Sequence, residues 1–559
     1  MTSIQRPHFS FLWKNPANLQ AWEHQEPLPS SLISDLGLRQ IIKHLQADQQ
    51  SQWVVEDMLC RPCTSEEEIE YRLEIMDDLM KCDGLLDLFS DLVFLVDKLQ
   101  SLDKDEAGIE DPIRQASCFL QKSILYTKII TALQEGLQRY KENINSEGLQ
   151  LLTGIVSQIA NSSTFGSMVQ DIAKLEDEAK EINQVDICFN CKNEMITSFT
   201  VDVRPAENQE RLLARLIKLV QPIVPLAAAD GYADVNQGSD FSQLEDLVLE
   251  EKRKAFPEHF SALIAFSKKY KEFPLDHVLP YGSELRFYTA MITMIKKLKK
   301  YGFAFCKPRV MAKNKKHFSL RRAYDLGLAL RMVEDDYGAD CMVCNDHKAD
   351  DAERVFILTG PNQGGKTTFI RSIGISQIMF QAGCFVPAAD AELSPVDHVF
   401  THFPEKEVLG EKKGRLAEEA GRIARIFTEA TEYSLVMLNE SFSSVRRADG
   451  YILGKDVLKA MMKLGCHGIF VTHITELAHD AELFNQKIQN GSQVVNLQAG
   501  VIDPDGIGMQ GKRTYEIKRV NTPFSFSYAR DIAQKCGLTF EQLVHLFETR
   551  GLVEGGIKK

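Results

Sequence analysis

Eight consecutive residues, Gly360-Pro361-Asn362-Gln363-Gly364-Gly365-Lys366-Thr367, satisfy the spacing G-x-x-x-x-G-K-[ST]. Glycines at those places let successive backbone N–H groups curl around an anion at a helix N-terminus, where the peptide dipoles already favour negative charge. Lys366 can reach the β- and γ-phosphates of a nucleotide, and the Thr367 hydroxyl can ligate Mg²⁺. Thr368 follows directly and opens the next helix. The pattern predicts ATP and Mg²⁺ as cofactors.

Two further segments supply what such a loop needs. The apolar run Ser434-Leu435-Val436-Met437-Leu438 ends in Asn439-Glu440. In phosphate-loop enzymes the first of these positions usually carries an Asp that helps hold Mg²⁺, and the second a Glu that orients or activates water. Here the first is Asn439, which keeps an oxygen but lacks the charge, and the second is Glu440. A third apolar run, Gly468-Ile469-Phe470-Val471-Thr472, ends at His473. At the C-terminal end of a strand beside the loop, His473 would face a γ-phosphate. A hydrogen-bonded structural histidine is the alternative.

The elements that must position these residues are legible from their periodicity. Arg354 to Thr359 reads as a buried parallel strand and Thr368 to Gly383 as a long helix, so the chain beyond Arg354 is expected to be α/β. Residues 30 to 185 read as helical, with Ser65 as the N-cap of a capping box closed by Glu68 and helical segments at 79–101, 113–140 and 147–183. Ile196 to Val203 alternates and is β-branched, which predicts a strand. Helix is expected again at 206–220, 240–271 and 283–301, around a loop-like stretch near 227–239.

Composition narrows the function classes. With 559 residues the chain has room for about three or four domains. Its 44% apolar and 26% charged residues are ordinary for a globular protein. No run approaches the ~18 apolar residues of a membrane span, and no secretory leader is visible, so the cytoplasm is the expected compartment. A net charge of −13 excludes nucleic-acid binding by bulk charge, but not a local basic surface. Lys296 to Arg322 holds eleven Lys or Arg and no acid. It reads equally as a solvated hinge or as a patch facing nucleic acid or nucleotide. The twelve cysteines include three Cys-x-x-Cys pairs, at 60/63, 188/191 and 341/344. Free thiols suit these pairs better than zinc, because no short knuckle surrounds any of them. Cys341 and Cys344 read as part of a strand-like run.

Taken together, Gly360 through Thr367, Gly383-Cys384-Phe385-Val386-Pro387-Ala388, Ala430 through Val436, Thr472-His473 with Glu476-Leu477, and Ser525-Phe526-Ser527-Tyr528-Ala529 resemble the MutS family of DNA mismatch-repair ATPases. Asp35-Leu36-Gly37-Leu38, Leu59-Cys60-Arg61-Pro62 and the Tyr71-Arg72 helix resemble the start of that family's helical core. The resemblance implies a multidomain chain, with a mainly helical core and lever over 1–300 and a reduced clamp near 190–260. It places a P-loop ATPase domain of the ABC/MutS type over 301–559, ending in a helical dimerisation segment. It leaves no room for a mismatch-recognition domain. The family's trans segment aligns with Gly414-Arg415-Leu416-Ala417-Glu418-Glu419, so Gly414 and Glu419 are expected at a neighbour's nucleotide. Gly414 replaces a serine there and retains only a backbone N–H.

What the resemblance implies is a homodimeric, slow, Mg²⁺-dependent ATPase that binds DNA in repair or recombination, as a nucleotide-switched clamp. Its ligand would be duplex or branched DNA, with little preference for a mismatch. Two other functions fit the same residues: a nucleotide-gated binding module with little hydrolysis, and an ATPase acting on structured RNA or ribonucleoprotein.

Overall fold

The computed structural model describes residues 9–45, 47–106, 109–179, 184–192, 195–204, 249–250, 252–404, 415–442, 445–488, 491–502, 512–521 and 538–550. The chain divides into two compact units. One comprises 1–11 and 78–286; the other comprises 12–77 and 287–559.

The first unit is mainly helical. Its helices include Asp83–Glu106, Pro112–Arg139, Glu147–Ala160, Ser163–Ala179 and Pro257–Tyr270. The longest starts where sequence chemistry dictates. Asp111 accepts from the N–H groups of Ile113 and Arg114 at 3.0 and 2.9 Å, and Pro112 occupies the first helical position. The buried carboxylate of Glu284 accepts from the Phe11 N–H (2.7 Å) and the Ser10 hydroxyl (2.6 Å). Phe11 then packs edge-on against Phe89 and Tyr281. An antiparallel hairpin, β1 (Gln184–Lys192) and β2 (Met195–Arg204), completes the described part of this unit. The strand expected at 196–203 is β2. Its partner β1 went unread, and the helix expected over 147–183 breaks at Asn161-Ser162. The helix expected at 206–220 and the loop at 227–239 lie outside the described residues, as does most of the 190–260 segment.

The second unit carries two sheets. A four-stranded sheet has the order β3-β7-β4-β5, from Arg309–Val310, Asp390–Leu393, Phe318–Ala323 and Asn345–Ala349. A six-stranded sheet has the order β12-β11-β6-β10-β9-β8. Its strands are β6 (Glu353–Thr359), β8 (Val399–His402), β9 (Leu435–Asn439), β10 (His467–Val471), β11 (Gln493–Ile502) and β12 (Lys512–Arg519). Every pair in it is parallel except β11 with β12. Burial on both faces explains the unbroken apolar runs, since every residue of β9 and β10 is buried.

One face packs Val355, Ile357, Val436, Leu438 and Phe470 against Met461, Leu477 and Phe484. Phe470→Ala would cost about 3–5 kcal/mol by opening that core. The helix Lys366–Gln381 is itself mostly buried, and its Ser376 Oγ and Gln377 Oε1 have no hydrogen-bond partner among the described residues. Gln381 donates to the carbonyls of Cys63 (2.8 Å) and Val396 (2.9 Å). At Gly374 a Cβ would come within 2.7 Å of Leu36 Cδ2, so only glycine permits that approach.

Ser65 caps the helix Glu66–Lys81 through the Glu68 N–H at 3.4 Å. The reciprocal half of the capping box is absent. The Glu68 carboxylate instead accepts from the N–H groups of Lys14 (2.7 Å) and Asn15 (2.9 Å).

His347 and His467 form a buried pair, Nε2 to Nε2 at 2.9 Å, among Phe318, Phe356 and Phe369. Burial pushes His347 down to about 3. Burial also holds His467 well below the usual imidazole range, with His347 and Arg354 adding to it. Near pH 7 both states of the chain are neutral at these rings. As the pH falls below 6.5, the unfolded chain takes up protons that the folded pair refuses, so stability is lost with acid. Each histidine contributes up to ~1.4 kcal/mol per pH unit in that window. Urea unfolding at pH 7 and pH 5 should show a smaller acid loss in His347→Phe/His467→Phe than in the wild type. Equal losses would contradict the assignment.

Candidate active site

The phosphate-type loop leaves β6 at Thr359 and enters the helix Lys366–Gln381. Two glycines in it are obligatory. Gly360 has φ 135°, and a Cβ there would lie 2.7 Å from the Ala499 Cβ of β11. Gly365 has φ 89° at the helix N-cap. Gln363 also takes a positive φ of 57°. Residues 363–369 line one side of a cavity of about 320 Å³.

Sheet register brings the other residues to this loop. β10 lies between β6 and β9, and all three run parallel, with Val471 opposite both Asn439 and Leu358. The three chain ends therefore emerge side by side at the C-terminal edge of the sheet, where α/β folds bind ligands. His473 Nε2 lies 2.9 Å from Glu440 Oε1, and Lys366 Nζ lies 3.8 Å from that same oxygen. Lys366 is 4% exposed and donates to the carbonyls of Gly360 (3.0 Å) and Pro361 (2.9 Å). The hydrogen bond from His473 holds the Glu440 carboxyl below the usual carboxylate range; the charges of His473 and Lys366 add to this and burial opposes it. Burial lowers the Lys366 ammonium, with Glu440 opposing. Glu440 itself sits at φ 51° and Phe442 at φ 62°, a conformation that costs a non-glycine residue about 1–3 kcal/mol. The arrangement offers an ionised carboxylate to accept a proton from water or to orient it, beside a cation for phosphate charge.

Asn439 is 5% exposed at the end of β9, and its Nδ2 donates to Thr367 Oγ1 at 3.3 Å. Its Oδ1 is buried without a hydrogen-bond partner among the described residues. An orphaned carbonyl oxygen beside a threonine hydroxyl fits a hydrated divalent cation. Thr367 and Asn439 are thus the residues that would hold Mg²⁺, which when bound would neutralise phosphate charge. Asn439 differs from an Asp in more than charge. Its N–H occupies a lone pair of the very hydroxyl oxygen that the cation would need.

The remaining candidates divide. Pro361, Asn362 and Gln363 form the loop, and Thr368 lines the cavity with Gly364 through Thr367. Glu419 accepts from the Phe442 N–H at 2.7 Å and lies 3.3 Å from His402 Nε2. It supports the turn after Glu440 within this unit and is absent from the cavity wall. Gly414 lies outside the described residues, as does the Ser525–Ala529 run.

Several cavity residues carried no motif. Tyr324, Asp325, Leu328, Met332, Cys341, Met342 and Val343 face the loop from the far wall. Tyr515 of β12, at φ 59°, lies against Gly365, where a Cβ would be 3.5 Å from its ring. Asn345 fixes it, donating to the Tyr515 carbonyl (3.2 Å) and accepting from the Ile517 N–H (2.7 Å). Only tertiary pairing reveals these.

Part of the basic run at 296–322 is neutralised by ion pairs. Lys307 faces Glu70 and Asp77 at 3.9 Å each, Arg309 pairs with Glu392 at 2.5 Å, and Lys316 pairs with Glu432. Lys297, Lys299 and Lys300 occupy the last turn of the helix Leu279–Lys300, where the dipole favours cations.

Residues 356–516 match the family model for MutS domain V. A DNA mismatch repair protein MutS from Thermosipho melanesiensis is 36% identical over 157 residues, 28% of this chain and 19% of that protein. The protein of the same name from Thermotoga neapolitana is 32% identical over 222 residues, covering 38% of this chain and 26% of its own. The chain thus spans about a fifth to a quarter of the length of the curated relatives it matches. The segment that holds the site is thus similar to domain V of MutS proteins.

Replacing Asn439 by Asp turns a competing donor into an acceptor for the Thr367 hydroxyl and adds a negative charge. Asn439→Asp should therefore lower the Mg²⁺ concentration for half-maximal activity by about three- to tenfold, ~0.7–1.4 kcal/mol. A Mg²⁺ titration that superimposes on the wild type would count against the assignment.

Proposed function

We propose that this protein is a Mg²⁺-dependent ATPase of MutS type that uses nucleotide binding to switch a dimeric grip on DNA, in repair or recombination. The observation that carries the reading is the convergence of Lys366 and His473 on one oxygen of Glu440, at the mouth of a phosphate-type loop. Lys366 would exchange its loop carbonyls for β- and γ-phosphate oxygens. Glu440 would orient water, and His473 would fix the carboxylate and sense the terminal phosphate. The apolar far wall would take the base. Gly414 and its neighbours would complete a partner's site, and the helical region would enclose duplex or branched DNA. In this reading the six-stranded sheet is the nucleotide domain of the ABC/MutS class, and residues 1–300 supply the core and lever.

One observation favours a second reading, a nucleotide-gated module with little hydrolysis. Asn439 stands where an Asp would hold the cation, and it withholds a charge from the metal. Turnover is accordingly expected to be slow but real, with a raised magnesium requirement.

Lys366→Ala should remove hydrolysis, at least about a hundredfold, ~2.7 kcal/mol of barrier, and weaken ATP binding. Wild-type turnover in that variant would refute the loop assignment. DNA affinity should fall steeply with salt, because phosphate contacts from residues such as Lys296, Lys297, Lys299 and Lys300 would dominate it. A mismatch preference above about tenfold, ~1.4 kcal/mol, would contradict this. Competition among duplex DNA, branched DNA and RNA at stated salt separates the DNA reading from an RNA ligand.

A further inference from the structure

We propose that Cys341 and Cys344 form a redox-convertible pair whose disulfide reshapes the cavity wall opposite the phosphate-type loop. The regulatory consequence rests on the nucleotide reading above; the covalent chemistry does not. Among the described cysteines Cys341 is the exposed one, while Cys344 is half-buried three residues on. The other Cys-x-x-Cys pair with described side chains, Cys60 and Cys63, is buried, and burial pushes the Cys60 thiol up to about 11. Access and thiolate character decide thiol reactivity, so Cys341 is the site of first attack.

The chain around the pair is held at both ends. Upstream, the Ala339 N–H bonds to the Tyr301 carbonyl (2.9 Å), and Ala339–Cys341 forms one 3-10 turn. Downstream, Asn345 starts β5 and is paired with Ala323 of β4. Residues 342–344 belong to no helix or strand, and Met342 is extended at φ −98°, ψ 127°. The strand-like run expected from the sequence thus begins only at Asn345. An extended Met342 holds the Cα atoms of Cys341 and Cys344 apart, the limit for a fully extended three-step span being about 10 Å. A disulfide needs roughly 4.4–6.8 Å, so closure must fold Met342 and Val343 into a turn. Those two residues line the cavity, as does Cys341. Oxidation therefore withdraws apolar wall from the cavity that the phosphate-type loop also lines.

The chemistry balances with a low-molecular-weight disulfide as oxidant. The Cys341 thiolate attacks glutathione disulfide, forming a Cys341–glutathione bond and releasing one glutathione thiolate. The Cys344 thiolate then attacks the Cys341 sulfur, the mixed bond breaks, and a second glutathione thiolate leaves. Two protein thiols are oxidised, one disulfide is reduced to two thiols, and the two protons pass to the released glutathione. Burial raises the Cys344 thiol, with Arg322 opposing and Asp346 adding, so this second step is the slower one.

The test uses the full chain, reduced with dithiothreitol or incubated with excess glutathione disulfide. Non-reducing peptide mapping should then find a Cys341–Cys344 linked peptide. Affinity for a fluorescent ATP analogue should fall at least tenfold on oxidation, ~1.4 kcal/mol, and recover with dithiothreitol. Cys344→Ser should bind the analogue like the reduced wild type before oxidation and should form no linked peptide, stopping at a glutathione adduct on Cys341. A wild type that stops at the mixed adduct, or one that forms the linked peptide with unchanged affinity, would overturn the proposal. Failure of the reduced wild type to bind the analogue would instead overturn the nucleotide reading, while the peptide map still decides the disulfide.

Discussion

The parallel pairing of β9 with β10, which sets Val471 opposite Asn439, decides which side chains meet at the glycine-rich loop. A slip of one residue would turn every side chain of β10 to the other face of the sheet and carry His473 away from Glu440. The slip is opposed by burial. All five residues of each strand are buried, and Phe470 is locked among Met461, Leu477 and Phe484. A core that packs at crystal-like density on both faces of a sheet fixes the position of the polar chain ends beyond it. The site is placed by the core, not by its own polar contacts.

Those polar contacts are unfavourable to assemble. Lys366 loses most of its hydration and recovers part of it from two loop carbonyls and the Glu440 charge. Glu440 and Phe442 hold left-handed backbone, and Glu419 steadies the turn through the Phe442 N–H. Asn439 keeps a buried oxygen without a partner among the described residues. Strain and unmet polarity concentrated at one edge of a well-packed sheet is what a ligand-binding edge looks like, because ligand contacts repay what the fold gives up there.

How far this was legible in advance differs by element. β6, β9 and β10 announce themselves as unbroken apolar runs, because strands buried on both faces need no alternation. The glycine-rich loop was legible because φ 135° at Gly360 and φ 89° at Gly365 tolerate few other residues. β1 was missed because the expected helix runs to 183 and the expected strand begins only at Ile196, leaving Val185-Asp186-Ile187-Cys188-Phe189 unassigned. The far wall of the cavity was unreadable for a different reason. Tyr515 reaches Gly365 only through the β11–β12 pairing and the Asn345 bridge, both of which join residues far apart in sequence. The acids that pair with part of the basic run, Glu70, Asp77, Glu392 and Glu432, were unreadable for the same reason.

The central claim is that Glu440, held ionised by His473 and Lys366, performs the water-directing step of a real hydrolysis. Glu440→Gln keeps the shape and removes the charge. Single-turnover ATP hydrolysis at saturating magnesium, with ATP binding measured in parallel, tests it most directly. The account predicts that Glu440→Gln binds ATP like the wild type and hydrolyses it at least about a hundredfold more slowly. Equal, slow hydrolysis by the two proteins would contradict it.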